Sequence, residues 1–354
     1  MNYDELLTRL AAQGASDIHF KVGRTPLVRI NGHLNQLDGA PLMPDDTESM
    51  ARHFLVPALF DRFMRSSEAD TSYSIKDVGR FRVNVFRQRG SVSLVLRIIP
   101  IKIPTMQELG LPPVIEKFID VQRGLILVTG ATGSGKSSTL ASIVDGINER
   151  HSSHIVTIED PIEFLHRDKR SSINQREVGI DTHDFSTAFI SSLRQDPDVI
   201  LVGELRDTTT METALRAAET GHLVLSTLHT SDAKETINRI VDFFPTHQQK
   251  QIRIQLATTL QAVVSQRLIP RATGSGRVLA CEVMIVNAAI RDYMLDPNKI
   301  SEIKPNMEKG RDQYGSQTFD QALFDLIRKG LISEADALTH ATSSNDLKIK
   351  LMQM

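Results

Sequence analysis

The chain has 354 residues, more than one hydrophobic core usually organises, so two or three domains are expected. Its 40% hydrophobic and 24% charged residues are ordinary for a globular protein, and a net charge of −2 from 41 basic and 43 acidic residues does not mark a general polyanion binder. The single cysteine, Cys281, excludes an intrachain disulfide framework and a four-cysteine zinc site within the chain, and no apolar run approaches the roughly 18 residues of a membrane span.

The N-terminus Met1-Asn2-Tyr3-Asp4-Glu5 lacks a basic region followed by an apolar one, so a cytoplasmic chain is expected. Leu6, Leu7 and Leu10 predict an opening helix, and Ile18, Phe20 and Val22 alternate with His19 and Lys21 as in a half-buried strand. Val28 and Ile30 lead into Asn31-Gly32, a strong hairpin signal. A second hairpin is expected where Phe81, Val83 and Val85 alternate with Arg80, Arg82 and Asn84, followed by Arg89-Gly90 and then Val92, Leu94 and Leu96. One of its faces is rich in arginine.

Pro100, Pro104, Pro112 and Pro113 support little helix or central strand, which places a linker at residues 100–113 after a first domain of residues 1–99. A core at 114–270 is expected to alternate strands with helices around a mostly parallel sheet, its strands at Leu125–Thr129, Ile155–Ile158, Val199–Val202 and Leu223–Thr227. From Thr246 onward the pattern reads as helical, with Leu256, Leu260, Val263 and Val264 on one stripe, and residues 271–354 are expected to be mostly helical. Phe319, Leu323, Leu326 and Ile327 form a later stripe ending at Gly330, and Ser333 with Asp336 reads as a capping box.

The apolar run Leu125-Ile126-Leu127-Val128 feeds Gly130-Ala131-Thr132-Gly133-Ser134-Gly135-Lys136-Ser137, a complete phosphate-binding loop, and Leu140, Ile143, Val144 and Ile147 recur behind it at helical spacing. Glycines let successive N–H groups turn toward phosphate, and the helix presents its positive dipole end to the same charge. Lys136 is placed to reach the β- and γ-phosphates of ATP and Ser137 to ligate Mg²⁺, with Ser138 beginning the helix beside them.

Three further segments carry chemistry. Asp198 to Glu204 is an apolar strand tipped by a carboxylate, which reads either as a general base or water-positioning group or as a cap on the following helix. Gly203 stands where the simplest magnesium-binding Walker-B carboxylate would be, so Mg²⁺ is expected to lean on Ser137, phosphates and water. Ile158-Glu159-Asp160-Pro161-Ile162-Glu163 ends another strand with carboxylates that either surround the metal and attacking water or form a plain acidic loop. Gly221 to His229 brackets a strand with two histidines. An imidazole there reports a γ-phosphate or serves only as a structural hydrogen-bonding group.

Together the phosphate loop, Thr157 to Glu163, Asp196 to Asp207 and Gly221 to Thr230 resemble the Walker A, Asp box, Walker B and His box of the type II/IV secretion ATPases. Ala15-Ser16-Asp17-Ile18-His19 resembles the start of that family's N-terminal PAS-like domain, so the resemblance covers nearly the whole chain. It implies an α/β protein with a PAS-like N-terminal domain joined to a RecA-like P-loop core and a helical C-terminal region. Within the family the chain is most similar to the type IV pilus retraction ATPases. Asn174-Gln175-Arg176-Glu177-Val178-Gly179 matches their segment after the Asp box, and Ala289-Ile290-Arg291-Asp292-Tyr293-Met294 resembles their AIRNLI motif, identical in its first three residues. Assembly ATPases usually carry an extra N-terminal domain and often a tetracysteine zinc loop, whereas this sequence starts almost directly at the PAS-like segment.

The resemblance implies a homohexamer that hydrolyses ATP to pull pilin back into the inner membrane through a platform protein, with the ring peripheral to that membrane at the pilus base. It implies that Arg82 and Arg97 approach a bound γ-phosphate, a task suited to guanidinium, although a solvated charged strand face explains the same residues. It makes Glu204, Glu159, Glu163 and His229 the catalytic candidates, His222 a nucleotide-linked one, and Ala289, Ile290 and Arg291 a coupling segment. The competing expectations are an accessory retraction ATPase, an assembly or secretion ATPase, a DNA-translocating RecA-like motor, and a nucleotide-dependent scaffold with negligible turnover. Near-neutral net charge and no basic tail weigh against nucleic acid, and Glu204 weighs against a silent scaffold.

Overall fold

The computed structural model of the chain describes residues 2–30, 32–76, 78–99, 102–274 and 276–352. They divide into two compact units, residues 1–102 with 163–165 and residues 103–162 with 166–354. The division after residue 102 falls inside the proline-rich stretch expected to be a linker, of which Pro100 lies outside the described residues.

The first unit runs α1 (Tyr3–Ala12), β1 (Ala15–Lys21), β2 (Leu27–Ile30), β3 (His33–Gln36), α2 (Pro44–Phe54), α3 (Pro57–Ser66), β4 (Glu68–Ile75), β5 (Gly79–Gln88) and β6 (Ser91–Ile99). Its six strands form one sheet in the order β3-β2-β1-β6-β5-β4, with every neighbour antiparallel. Ile30 pairs with His33 across the first hairpin, whose Asn31 lies outside the described residues. In the second, Arg89 and Gly90 have φ of 51° and 77°, the positive values that a two-residue turn needs to match strand twist. Alternation puts Phe20, Phe81, Val83, Val85, Leu94 and Leu96 into the core with Phe63 of α3.

The second unit runs a 3-10 helix (Pro113–Asp120), β7 (Gly124–Thr129), α4 (Lys136–Arg150), β8 (His154–Glu159), β9 (Ser172–Glu177), α5 (Phe185–Ser192), β10 (Val199–Val202), α6 (Thr208–Glu219) and β11 (Leu223–Leu228). It continues through α7 (Ala233–Asp242), α8 (Thr246–Thr259), β12 (Leu260–Pro270), β13 (Arg277–Ile285), α9 (Ala288–Leu295), a 3-10 helix (Pro297–Glu302), α10 (Ile303–Lys309), α11 (Arg311–Tyr314), α12 (Phe319–Arg328), α13 (Glu334–His340) and α14 (Ser344–Met352). The seven-stranded sheet is ordered β13-β12-β7-β11-β10-β8-β9, parallel except for the β12–β13 pair. Both faces are buried, as a parallel sheet requires. Leu125 and Leu127 of β7 join the layer containing α6 and α8, whereas Ile126 and Val128 join the opposite layer with Leu140, Ile143, Val144 and Ile147 of α4.

Two expectations need correction. Leu260, Val263 and Val264 are strand residues of β12, paired with β7, and the helix ends at Thr259. Apolar spacing across the α8–β12 boundary mimics one helical stripe, while the β-branched run inside β12 suits a strand buried on both faces. The segment after residue 271 also opens with β13, which completes the sheet, before the helices begin. The later signals correspond to helices: Phe319, Leu323, Leu326 and Ile327 lie on α12, Gly330 has φ of 65°, and the Ser333 hydroxyl accepts the Asp336 N–H at 3.0 Å. No described helix is long and apolar enough to cross a membrane.

Candidate functional site

The site is built at the C-terminal edge of the parallel sheet, where open α/β folds bind ligands. β7 ends at Thr129, the chain curls through residues 130–135, and α4 begins at Lys136. The curl depends on backbone that side chains rarely adopt: Gly130, Gly133 and Gly135 have φ of 136°, 76° and 95°. A Cβ on Gly130 would also stand 2.5 Å from the Gln266 carbonyl and 2.7 Å from Ser134 Oγ. Glycine is therefore required there by both torsion and space.

Lys136 is buried, and its ammonium donates to the carbonyls of Gly130 at 2.8 Å and Ala131 at 3.1 Å. Burial lowers its pKa, and the Glu204 carboxylate acts in the opposite sense. Ala131, Thr132, Gly133 and Ser137 are exposed, Ser138 is half-buried, and Ser134 Oγ is buried with no hydrogen-bond partner. Residues 131–134 of the loop line a cleft of about 380 Å³ together with Arg267, Arg277 and His340. Inward-curling amides, a cationic side chain at the helix start and an orphaned hydroxyl fit a polyphosphate. Among the described residues no group of three or more His, Cys, Asp or Glu side chains is placed to hold a metal. A cation at Ser137 would need oxygens from the nucleotide and water.

Glu204 follows β10 and is 19% exposed. Arg206 Nε donates to it at 2.8 Å, and His229 Nε2 lies 3.3 Å from its other oxygen. It does not cap α6, because Asp207 accepts the Thr210 N–H at 2.8 Å in that role. Gly203 bonds to the Ile158 carbonyl at 2.8 Å, and a Cβ on it would stand 3.3 Å from the same oxygen. The tight crossing gives a physical reason for glycine where a second carboxylate was sought. Glu204, Arg206, His229, Glu235, Arg239 and Phe243 line an adjoining cleft of about 300 Å³.

Glu159 ends β8, where Thr157 Oγ1 donates to it at 2.7 Å and Gln175 Nε2 at 3.2 Å. The carboxylate is thus held by β9, an edge strand that sequence reasoning treated only as a family signature. Asp160 and Pro161 are joined by a cis peptide. Glu163 is exposed and falls in the segment that groups with the first unit.

His229 sits just past β11, beside Glu204, but His222 precedes that strand and therefore lies at the opposite edge of the sheet. Its Nδ1 is 3.0 Å from the Ala217 carbonyl, and its own carbonyl receives the Gly124 N–H at the start of β7. Within this chain His222 braces the α6–β11 turn and is not gathered with the loop. Strand direction, readable from the motif order, carried that distinction.

In the first unit Arg82 and Arg97 face each other across β5 and β6, and Asp17 faces Arg97 across β1 and β6. Arg97 Nε is 2.9 Å from Asp17 Oδ1, and Arg82 Nε is 3.9 Å from Asp70 Oδ1. Burial pushes the Asp17 carboxyl up, but the Arg97 and Ser16 hydrogen bonds and the Arg97 charge hold it below the usual range. Arg97 nevertheless remains 70% exposed, with its guanidinium turned partly to solvent. In the second unit Asn287 caps α9, Ile290 is fully buried in the core, Ala289 is half-buried and Arg291 is exposed. The proposed coupling segment thus offers Arg291 outward and hides Ile290.

The chain matches the family model described as "Type II/IV secretion system protein" over residues 2–334. It is 45% identical over 337 residues to the "Type IV pilus retractation ATPase PilT" of Pseudomonas aeruginosa, covering 95% of this chain and 97% of the relative. It is 39% identical to the "Type IV pilus ATPase PilU" of the same organism, covering 99% and 91%. A crystal structure of the pilus retraction motor PilT with bound ADP superimposes with a TM-score of 0.91 at 46% identity, covering 99% of both chains. That agreement bears out the expected α/β architecture of an N-terminal domain, a P-loop core and C-terminal helices. By its sequence and its fold the chain belongs to the type II/IV secretion system protein family.

Proposed function

We propose that the chain is a motor ATPase that powers type IV pilus retraction. The observation that carries the reading is the second unit's edge, where a phosphate loop with a buried Lys136 stands within electrostatic reach of a Glu204 paired to His229. Similarity across 95% of the chain to a retraction ATPase supplies the biological direction. Lys136 neutralises β/γ-phosphate charge and the loop amides orient the phosphates. Glu204 takes or orients the proton of the attacking water, and His229 steadies that carboxylate and reports the γ-phosphate. Glu159 and Glu163 are further catalytic candidates in the same reading. Mg²⁺, which Ser137 would help to hold, would supply Lewis-acid charge stabilisation.

Arg82 and Arg97 are assigned to a neighbouring subunit's nucleotide in a homohexamer, and the ring is placed at the cytoplasmic face of the inner membrane against a platform protein. Alternating nucleotide states would then become movement of that platform. The deciding experiment compares pilus retraction in cells lacking this gene with the same cells carrying the wild-type gene or Glu204→Ala. Restoration by wild type alone supports the reading. Unchanged retraction on deletion favours the accessory-ATPase reading, to which 39% identity over 99% of the chain with PilU gives a specific basis.

A further inference from the structure

Glu282 lies on β13 and is 5% exposed, inside a strand whose neighbours Cys281 and Val283 are also buried. Its Oε1 accepts the Ala233 N–H at 2.9 Å, and the Phe319 backbone N–H acts on the same carboxylate in favour of its ionised form. Ala233 and Phe319 are the first residues of α7 and α12. The ordinary caps of those helices are occupied elsewhere: Asp232 accepts the Glu235 N–H at 2.7 Å and Thr318 accepts the Gln321 N–H at 3.4 Å. One carboxylate therefore takes a terminal donor that the cap leaves over on α7 and acts on the backbone N–H that opens α12. Once ionised, the group has acceptors only, whereas an amide would carry a permanent donor beside the oxygen that faces Ala233.

Arg267 completes the arrangement. Its guanidinium lies 3.8 Å from the Phe319 ring centre and donates to the His340 carbonyl at 2.5 Å and the Ser231 carbonyl at 3.5 Å. Its charge also favours the ionised form of Glu282, as do the two helix amides, against burial and the Asp232 charge. Ser231 belongs to the short connection that follows His229, and Ala233 opens the helix which that connection enters. In the same connection Thr230 is buried and its hydroxyl bonds to Thr236 at 2.7 Å. His229 is consequently carried by a connection whose far end is fastened to β13, α12 and α13.

We propose that Glu282 is a positioning residue that joins the N-termini of α7 and α12, so that the C-terminal helices set where His229 stands beside Glu204. The inference rests on the hydrolytic role given to His229 above and deepens it by naming what controls that residue. It predicts that a disturbance in the C-terminal helices reaches turnover without reaching nucleotide binding.

The test is a double-mutant cycle on full-length protein, with steady-state ATP hydrolysis, nucleotide affinity and melting temperature measured for Glu282→Gln, His229→Ala and the pair. Glu282→Gln is expected to lower kcat roughly 10- to 100-fold, the scale of a displaced catalytic group, with nucleotide Kd within about twofold. Added to His229→Ala it is expected to cost nothing more. Losses that multiply, or a Glu282→Gln enzyme with normal kcat, would overturn the proposal. A His229→Ala enzyme with wild-type turnover would instead remove the underlying His229 assignment, and the inference with it. Should Glu282→Gln fail to fold, Arg267→Gln enters the same cycle, with the same non-additivity expected and multiplying losses again decisive against.

Discussion

Glu204 Oε1 and His229 Nε2 stand 3.3 Å apart, although 25 residues separate them in the chain, because β10 and β11 are parallel neighbours that leave the sheet at the same edge. The Ser226 and Thr227 hydroxyls reinforce that register by donating to the Val202 and Gly203 carbonyls at 2.5 and 2.7 Å. Arg206 holds the other oxygen of Glu204, so the carboxylate is oriented from two sides. A carboxylate oriented in this way suits the proposed base, since positioning and charge do most of the work of phosphoryl transfer to water.

Glu204→Ala should therefore keep ATP binding and lose turnover by about 10²–10⁴-fold, the usual contribution of a positioned acid or base. Phosphate release and nucleotide binding measured on one preparation check it. Near-normal hydrolysis would move the role to Glu159 or Glu163. Glu159 starts with a disadvantage, because one of its oxygens is already engaged by Thr157 and Gln175.

Lys136→Ala should abolish measurable nucleotide affinity while the fold survives. The ammonium is bonded to carbonyls of its own loop, and the glycine torsions rather than that bond shape the curl. Calorimetric titration with ATP, beside a circular dichroism melt, separates the two effects. Wild-type affinity in a folded variant would refute the assignment.

Legibility followed the range of the interactions. The β7–loop–α4 unit could be read because its apolar run, octapeptide and helical stripe are contiguous, and β10 because it is four buried residues tipped by a carboxylate. β9 escaped because Ser172-Ile173-Asn174-Gln175-Arg176-Glu177 is polar, as an edge strand can be, and its pairing with β8 supplies what its composition does not. β12 was misread because local spacing cannot separate a buried strand from a helix stripe. The burial of Glu282 was invisible for a different reason: Ala233, which satisfies it, is 49 residues away.

Buried Glu282 and half-buried His166 give the second unit opposing pH dependences. Burial above all raises Glu282 from 4.5 to about 7, so the native state binds more protons than the unfolded one in that window. Its contribution is fully present below about pH 4.5 and lost as pH rises through 7, by an amount on the order of 3 kcal/mol. Burial lowers His166 from 6.5 to about 4, with Asp145 opposing and Lys169 assisting, so its effect is stabilising above pH 6.5 and lost as pH falls toward 4. Denaturant unfolding from pH 4.5 to 7.5 should show wild-type stability falling relative to Glu282→Gln as pH rises. A pH-independent difference would mean that Glu282 does not titrate in this range.

Arg97 and Arg82 are the residues whose proposed task lies on another subunit. Mixing Arg97→Ala subunits with Glu204→Ala subunits should restore part of the activity if each supplies what the other lacks at a shared interface, since an arginine finger contributes about 10³–10⁵ in rate. The 70% exposure of Arg97 makes its truncation mild for folding, although Asp17 loses its nearest cation. Confirmed mixed hexamers with no regained hydrolysis would count against action in trans.

The segment Ala289-Ile290-Arg291 requires two variants, because its side chains face opposite ways. Ile290 is fully buried among the core residues that include Leu256 and Met294, so Ile290→Ala should cost about 2–5 kcal/mol and lower melting temperature and hydrolysis together. Arg291 is exposed on the first turns of α9, whose N-terminus is already secured by the Asn287 side chain at 2.9 Å from the Ile290 N–H. Its truncation removes surface charge and leaves both the cap and the core in place. If the segment passes motion to the retraction machinery, Arg291→Ala should keep melting temperature within a degree or two and ATPase activity within about twofold, as an ordinary surface substitution does, and still abolish retraction in cells. Normal retraction by that variant would leave the segment with a packing role alone, because Ile290 would then be its only consequential side chain.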